Sequence, residues 1–205
     1  MLDEVYRSAS VTADLTSDST MSRAGANANE IIYPQITVSG LGDYDRNSGY
    51  TTGAVDLKWK TTAFNYDRGT KISVDVMDNE ESRNLAFGMA GATLMREKVA
   101  PEADAFTFAT LAAMENISTA TGTIDNASQF LDALLTAWNK MDEDEVPQEG
   151  RLLYATATLL NSVMALDTTK SREILAKFST KKVVPQARFY TTIEMLDGKT
   201  EGEEI

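Results

Sequence analysis

The stretch from Asp67 to Met114 constrains the fold more than any other, because its apolar residues switch from a period of two to a period near 3.6 and then hold it for a long way. Ile72, Val74 and Val76 alternate with Lys71, Ser73 and Asp75, which predicts a strand with one apolar face. A helix is expected at once after it. Asp78 or Asn79 can accept from the free N–H groups of its first turn, and Glu80 and Glu81 place negative charge at the positive end of its dipole. Leu85, Gly88, Met89, Ala92, Met95 and Val99 recur at spacings of three and four and form one stripe. The middle of that stripe is thin, with Ala86, Gly88, Ala90, Gly91 and Ala92 together. A mid-helix Gly costs about 0.5 to 1 kcal/mol against Ala, so close approach by another surface is expected at Gly88 and Gly91.

Pro101 interrupts the pattern without ending it, since Pro is tolerated in a first turn and Glu102, Ala103 and Asp104 suit a helical restart. Phe106, Leu111 and Met114 continue the apolar surface. The reading is a long, kinked or broken helix of roughly 30 to 35 residues, about 45 to 50 Å at 1.5 Å per residue. Upstream, Ile36 and Val38 alternate with polar residues. Gly40, Gly42, Gly49 and Gly53 then crowd one short span, and Val55, Leu57 and Trp59 alternate on the way back. That is a two-stranded arm with a glycine-rich tip. An isolated two-stranded ribbon is marginal in water, so it needs another surface.

Downstream, Asn126 is a candidate cap for a helix whose Phe130, Leu131, Leu134, Leu135, Trp138 and Met141 line one side as core. Asp142 to Glu145 are four acidic residues without the oxygen-ligand spacing or turn glycine of a calcium loop, and read as solvated. Arg151 to Thr156 reads as a buried strand, Leu159 to Leu166 as a compact helix, and Thr168 or Thr169 to Phe178 as another with Ile174, Leu175 and Phe178 inward. Val183-Val184 and Phe189 to Met195 are expected strands separated by Pro185. At the start, Leu2, Val5 and Tyr6 read as a helix already under way, and Ser8 to Asn29 as irregular. Charged Asp197 to Ile205 closes nothing, so a truncated chain is expected.

Chemistry is narrowed by what is missing. With no Cys and no His among 205 residues, disulfides, thiolate nucleophiles and triads using imidazole cannot be built. Nineteen basic against 31 acidic residues give a net charge of −12, which disfavours a sequence-independent grip on nucleic acid. No apolar run has the length of a membrane span, and no Walker loop, dinucleotide fingerprint or metal motif occurs. Carboxylates are the abundant acid-base groups, so a glycosidase-like pair such as Asp75 with Asp78 is the feasible enzyme chemistry. Capping and surface roles are the ordinary account of such residues.

The run D-R-G, alternating strand, D-x-M-D-N-E-E, small-residue helix and K-V-x-P-E-x-D-A-F resembles the major capsid proteins of tailed bacteriophages with the Hong Kong 97 fold. Gly42-Asp43-Tyr44 and Gly49-Tyr50 resemble that family's extended loop. Val146-Pro147-Gln148-Glu149-Gly150-Arg151 and Val184-Pro185-Gln186-Ala187-Arg188-Phe189-Tyr190-Thr191 resemble later landmarks. Ala100 and Ala103 stand where larger aliphatic residues are expected, a small departure. The resemblance implies an α+β fold with a long spine helix, an extended two-stranded loop and a small mixed α/β axial lobe. Its expected division is an N-terminal helix and irregular segment over 1–32, the extended loop over 33–66, strand plus spine helix over 67–116, an axial-like lobe over 117–182, and returning strands over 183–205.

The implied function is structural: a non-enzymatic head subunit, from a truncated chain or a prophage-encoded copy, assembled in a bacterial cytoplasm into a virion shell of hexamers and pentamers. Scaffolding, protease and portal partners are implied, with DNA enclosed but not specifically bound, no membrane and no cofactor or metal. The candidate contact or packing residues are Gly42, Tyr44, Gly49, Tyr50, Trp59, Arg68, Gly88 and Gly91. A cellular nanocompartment shell would share the fold and differ in cargo, and a binding module would suit the Thr-rich hairpin but not the long helix. Some shells of this fold cross-link a loop Lys to an Asn, for which Lys58 and Lys60 are placed near the arm.

Overall fold

The computed structural model describes residues 5–6, 9–15, 19–73, 75, 77, 80, 85–115 and 117–196. The chain is mixed α and β and divides into two units, one formed by Met1–Leu15 with Val74–Ile205 and the other by Thr16–Ser73.

The Thr16–Ser73 unit is a three-stranded antiparallel sheet in the order β1 (Arg23–Ala24), β2 (Glu30–Val38), β3 (Val55–Ala63). Strands β2 and β3 pair in unbroken register from Glu30 opposite Ala63 to Val38 opposite Val55, the ribbon expected from the alternation. The short β1, which falls within the stretch read as irregular, adds Arg23 opposite Ile32 and Ala24 opposite Ile31. A tight turn joins it to β2, with the Glu30 N–H donating to the Asn27 carbonyl at 3.2 Å and the Asn27 side chain to the Glu30 carboxylate at 2.6 Å.

In the other unit the long helix is present over Leu85–Ala112 in three pieces: α1 (Leu85–Leu94), a π turn (Met95–Val99) and α2 (Ala100–Ala112). The π turn answers Pro101. In a regular helix its ring would crowd the carbonyl four residues back, and its missing N–H would leave that carbonyl unpaired. Here the Ala100 N–H donates five residues back, to the Met95 carbonyl, and α2 begins with Pro in its first turn. One extra residue in a turn rotates the remainder of the helix by about 100°. The buried stripe therefore moves from the expected Phe106, Leu111 and Met114 to Ala100, Asp104, Ala105, Phe108 and Ala109, and Met114 is exposed.

Two strand expectations are corrected. Ile72 and Asp75 lie outside any strand, while Val74, Val76 and the capping candidates Asp78 and Asn79 lie outside the described residues. Phe189–Met195 is also not a strand, because Gln186–Arg188 forms a 3₁₀ turn and the Phe189 ring then packs edge-on against Phe108 at 4.8 Å. Extended segments persist as strands only where a partner completes the hydrogen bonds, and among the described residues neither segment has one.

The core lies among α3 (Ala127–Glu143), β4 (Leu152–Thr156), α4 (Ala157–Ala165), α5 (Thr169–Ala176) and β5 (Thr180–Val184), with β4 and β5 paired in parallel. The Asn126 side chain caps α3 by accepting from the Gln129 N–H at 2.9 Å, and Thr168 and Ser171 form a reciprocal capping box on α5. Phe130, Leu131, Leu134 and Trp138 meet Leu153, Ala155, Leu160, Val163, Ile174 and Phe178 in one apolar cluster.

Arg151 closes this lobe. Its guanidinium stacks 4.1 Å from the Trp138 ring centre and donates to the Asp142 carboxylate at 2.7 Å and to the Val146 and Pro147 carbonyls at 2.6 and 3.0 Å. The acidic run is thus partly structural: Arg151 holds the Asp142 carboxyl below the ordinary range, and Asp144 pairs with Lys140 at 2.8 Å.

Tyr154 on β4 has a buried hydroxyl with no hydrogen-bond partner among the described residues, and its burial pushes the phenol pKa up. A buried hydroxyl left unpaired costs about 1 to 3 kcal/mol. Tyr154→Phe is therefore expected to hold or raise the unfolding midpoint, and a clear fall would mean that the hydroxyl is hydrogen-bonded in solution.

Candidate functional site

The β2–β3 ribbon has two unlike faces, set by which residues stand directly opposite. Pro34 faces Trp59, Ile36 faces Leu57 and Val38 faces Val55, giving an apolar face. Tyr33 with Lys60, Gln35 with Lys58 and Thr37 with Asp56 make the other face, where Lys58 and Asp56 form an ion pair at 2.7 Å. The apolar face is not covered: Ile36 is 64%, Val38 64%, Val55 71% and Leu57 52% exposed. Only its base is sheltered, where the Arg23 guanidinium sits 4.6 Å above the Trp59 ring. Among the described residues of Thr16–Ser73, no side chain is buried.

The tip is ordered by local hydrogen bonds. Asp45 and Gly49 exchange backbone hydrogen bonds at 3.2 and 2.7 Å, and the Asp45 carboxylate accepts from the Asn47 and Ser48 N–H groups at 2.6 and 2.9 Å. Those donors, Ser48 foremost, hold the Asp45 pKa below the ordinary value. Gly49 has φ of +80°, a conformation that side chains resist. At Gly42 a Cβ would come 2.4 Å from the Thr51 hydroxyl, so the two limbs of the tip approach as only glycine allows. Tyr44 and Tyr50 pair across the tip with ring centres 5.0 Å apart, and both are exposed, as is Leu41.

Of the expected contact residues, Gly42, Tyr44, Gly49, Tyr50 and Trp59 thus share one ribbon and its tip. Arg68 is half-buried in the irregular run after β3, while Gly88 and Gly91 belong to α1 in the other unit. Gly91 is half-buried; Gly88 is exposed, and a Cβ there would meet nothing within 4 Å. Among the described residues none makes the close approach expected at Gly88. Gly88→Ala should then stabilise the isolated chain by about 0.5 to 1 kcal/mol, read as a higher denaturant midpoint at unchanged slope. A lower midpoint would place a packed surface at that glycine. Leu85, Phe87 and Met89 on the same helix are also exposed, at 60%, 62% and 65%.

A second constellation joins residues far apart in the sequence, which no spacing connects. Asp104, with no exposed surface, lies on the inner side of α2. One of its carboxylate oxygens accepts from the Ser10 hydroxyl at 2.7 Å, the Thr12 hydroxyl at 2.7 Å and the Thr12 N–H at 3.1 Å. The other accepts from the Val11 N–H at 3.0 Å and from Arg188 at 3.1 Å. Arg188 also donates to the Ala9 carbonyl at 2.8 Å, and Lys182 pairs with Asp14 at 2.6 Å. Burial pushes the Asp104 carboxyl up, but the donors from Val11, Thr12 and Ser10 together outweigh it and hold the pKa below the ordinary value. The two halves of the ion pair sit in two of the family-like motifs, Asp104 in K-V-A-P-E-A-D-A-F and Arg188 in V-P-Q-A-R.

For the carboxylate-pair alternative, the Asp75 carboxylate accepts from the Met77 N–H at 2.8 Å, a local turn role, and Asp78 lies outside the described residues. Among the described residues no group of three or more acidic side chains is placed to hold a metal ion, and no helix is long and apolar enough to cross a membrane. No protein-family model, curated protein or solved structure matches the chain.

Proposed function

We propose that the chain is a self-assembling shell subunit, the major capsid protein of a tailed-bacteriophage-type head with the Hong Kong 97 fold, and that its function is repeated contact with copies of itself. The observation that carries this reading is the ribbon: nine paired positions, one apolar face left open, and no buried side chain among the described residues of its unit. Beyond Ile31 and Ile32, which pair with the short β1, the ribbon is two-stranded, and such an element gains too little from its own contacts to offset the ordering of its backbone, so it needs a surface to lie on. A second copy supplies one in every repeat of a closed lattice.

Further support comes from the long helix, here at least Leu85–Ala112, with α1 exposing Leu85, Phe87 and Met89. The compact α/β lobe over α3–β5 fits the expected axial element. The family-like motifs also carry the Asp104–Arg188 pair and the Arg151 anchor, positions where substitution would leave buried charge unpaired. The net charge of −12 opposes association at low salt, so self-association should strengthen as ionic strength rises.

Sedimentation velocity across protein and salt concentration, with amide exchange on the same samples, tests the reading. Association that grows with salt and slows exchange along Ile36–Val38 and Val55–Leu57 is expected. A chain that stays monomeric at its highest soluble concentration in high salt, with those amides already protected, would sink it.

A further inference from the structure

The apolar face of the β2–β3 ribbon tapers along its length. Pro34 and Trp59 stand opposite each other at its base, Ile36 and Leu57 in the middle, and Val38 and Val55 nearest the tip, so side-chain bulk falls from one end to the other. A second ribbon laid face to face on it can reverse that taper. With a two-fold axis crossing both strands over the Ile36–Leu57 pair, the Trp59 end of each copy meets the Val38–Val55 end of the other, and Ile36 meets Ile36. Side-chain volume summed across the contact then stays even from end to end, as close packing between two sheets requires. The exposed apolar residues of α1 offer no such match: Leu85 and Met89 share one side of the helix, while Phe87 lies about 200° round from Leu85 at 3.6 residues per turn.

Charge favours the same contact. Thr16–Ser73 carries six acidic and six basic residues, so it has no net charge and the whole −12 of the chain belongs to the other unit. A contact confined to two ribbons therefore brings no net charge together, whereas contacts made through the other unit work against repulsion between like-charged copies. The Lys58–Asp56 ion pair lies on the opposite face and stays in water. The apolar face is short, about 14 Å from Pro34 to Val38 at 3.4 Å per residue, so one pairing is weak and gains from repetition in an assembly. We propose that the partner surface of the ribbon is the same face of a second copy: two ribbons pack as an isologous sandwich about a two-fold axis at Ile36–Leu57. The pairing deepens the self-contact reading of the ribbon and rests on it.

The full chain lacks Cys, so one introduced Cys marks each face, and positions 36 and 37 are both exposed in the single chain. Packed sheets stand about 10 Å apart, a span that a short bis-maleimide covers. At high ionic strength, Ile36→Cys should give covalent dimers at about tenfold or more the yield of Thr37→Cys on the polar face, because a residue held against its own copy reacts at millimolar effective concentration. Charge gives a second readout. Ile36→Asp and Ile36→Lys should each lose association in sedimentation velocity, and an equal mixture of the two should regain it, since only a contact that sets position 36 against itself brings the opposite charges together. A parent chain that associates, with equal cross-linking at both positions and no rescue on mixing, would overturn the ribbon-to-ribbon pairing and leave self-contact through another surface. A parent chain that does not associate at all, again with equal cross-linking, would overturn the self-contact reading and the pairing with it.

Discussion

Replacing Asp104 with Asn is expected to lower the unfolding midpoint by about 6 to 20 °C, since breaking a buried ion pair costs about 3 to 5 kcal/mol and each kcal/mol shifts a chain of this size by about 2 to 4 °C. The substitution keeps the shape and removes what the site uses. An amide has one oxygen where the carboxylate has two, and both are engaged: one by Ser10 and Thr12, the other by Val11 and Arg188. Whichever way the amide turns, its NH₂ meets donors. Asp104→Glu tests the same point with charge retained, because an extra methylene cannot fit a fully buried site without displacing the segment. An unchanged midpoint in both variants would mean that the Ala9–Asp14 segment is not docked in solution.

The pH dependence has a defined sign. The Asp104 pKa is depressed in the folded chain, so its contribution to stability is complete above the ordinary carboxylate value near 4 and is lost as pH falls through the lower folded value. The difference in stability between the parent chain and Asp104→Asn should therefore be constant through neutral pH and shrink below about pH 4. Denaturant titrations at several pH values measure it, and a difference that grows on acidification would reverse the assignment.

Periodicity carried the elements whose stabilising contacts are local or lie within one amphipathic face. The ribbon, α3 with its Asn126 cap, β4, α4, α5 and β5 were legible because alternation, helical spacing and capping chemistry are written in neighbouring residues. The Asp104 constellation was not, because its partners lie 84 to 94 residues away in the chain. Its one local trace is a carboxylate in phase with Ala100, Ala105 and Phe108, on a side of the helix that is otherwise apolar. Read as a charge at a helix start, it concealed a buried site. Reading the stripe onward to Phe106 and Met114 failed for a related reason, since the π turn before Pro101 resets the phase by one residue and periodicity assumes an unbroken helix. The expected strands at Ile72 and Phe189 failed because alternation states what a strand would bury and says nothing of whether a partner strand exists. Of the candidate contact residues, the tip glycines and tyrosines lie on one ribbon, where alternation and glycine spacing put them. The sequence carried no sign that Gly88 meets nothing among the described residues.

The apolar ribbon face yields the second large effect. Ile36→Asp with Leu57→Asp puts two carboxylates directly opposite each other on that face, at positions 64% and 52% exposed in the single chain. Exposed substitutions of this kind usually change stability by about 0.5 kcal/mol or less, so the thermal midpoint of the core lobe should hardly move. Association should collapse. If a second copy covers the face, each lost side chain forfeits about 1.5 to 3 kcal/mol of burial, and the charges left against an apolar surface add to the loss. Two such losses weaken a single contact by about a hundred- to ten-thousandfold, and a closed lattice repeats the penalty at every subunit. Thr37→Asp on the polar face, one residue from Ile36, is the matched control and should leave association largely intact. Sedimentation and electron microscopy of the three chains at high ionic strength decide between the faces. Loss of association in the control but not in the apolar-face variant would assign the contact to the Lys58–Asp56 side. Association unaffected by either would remove the ribbon from the assembly surface, and with it the main support for a shell.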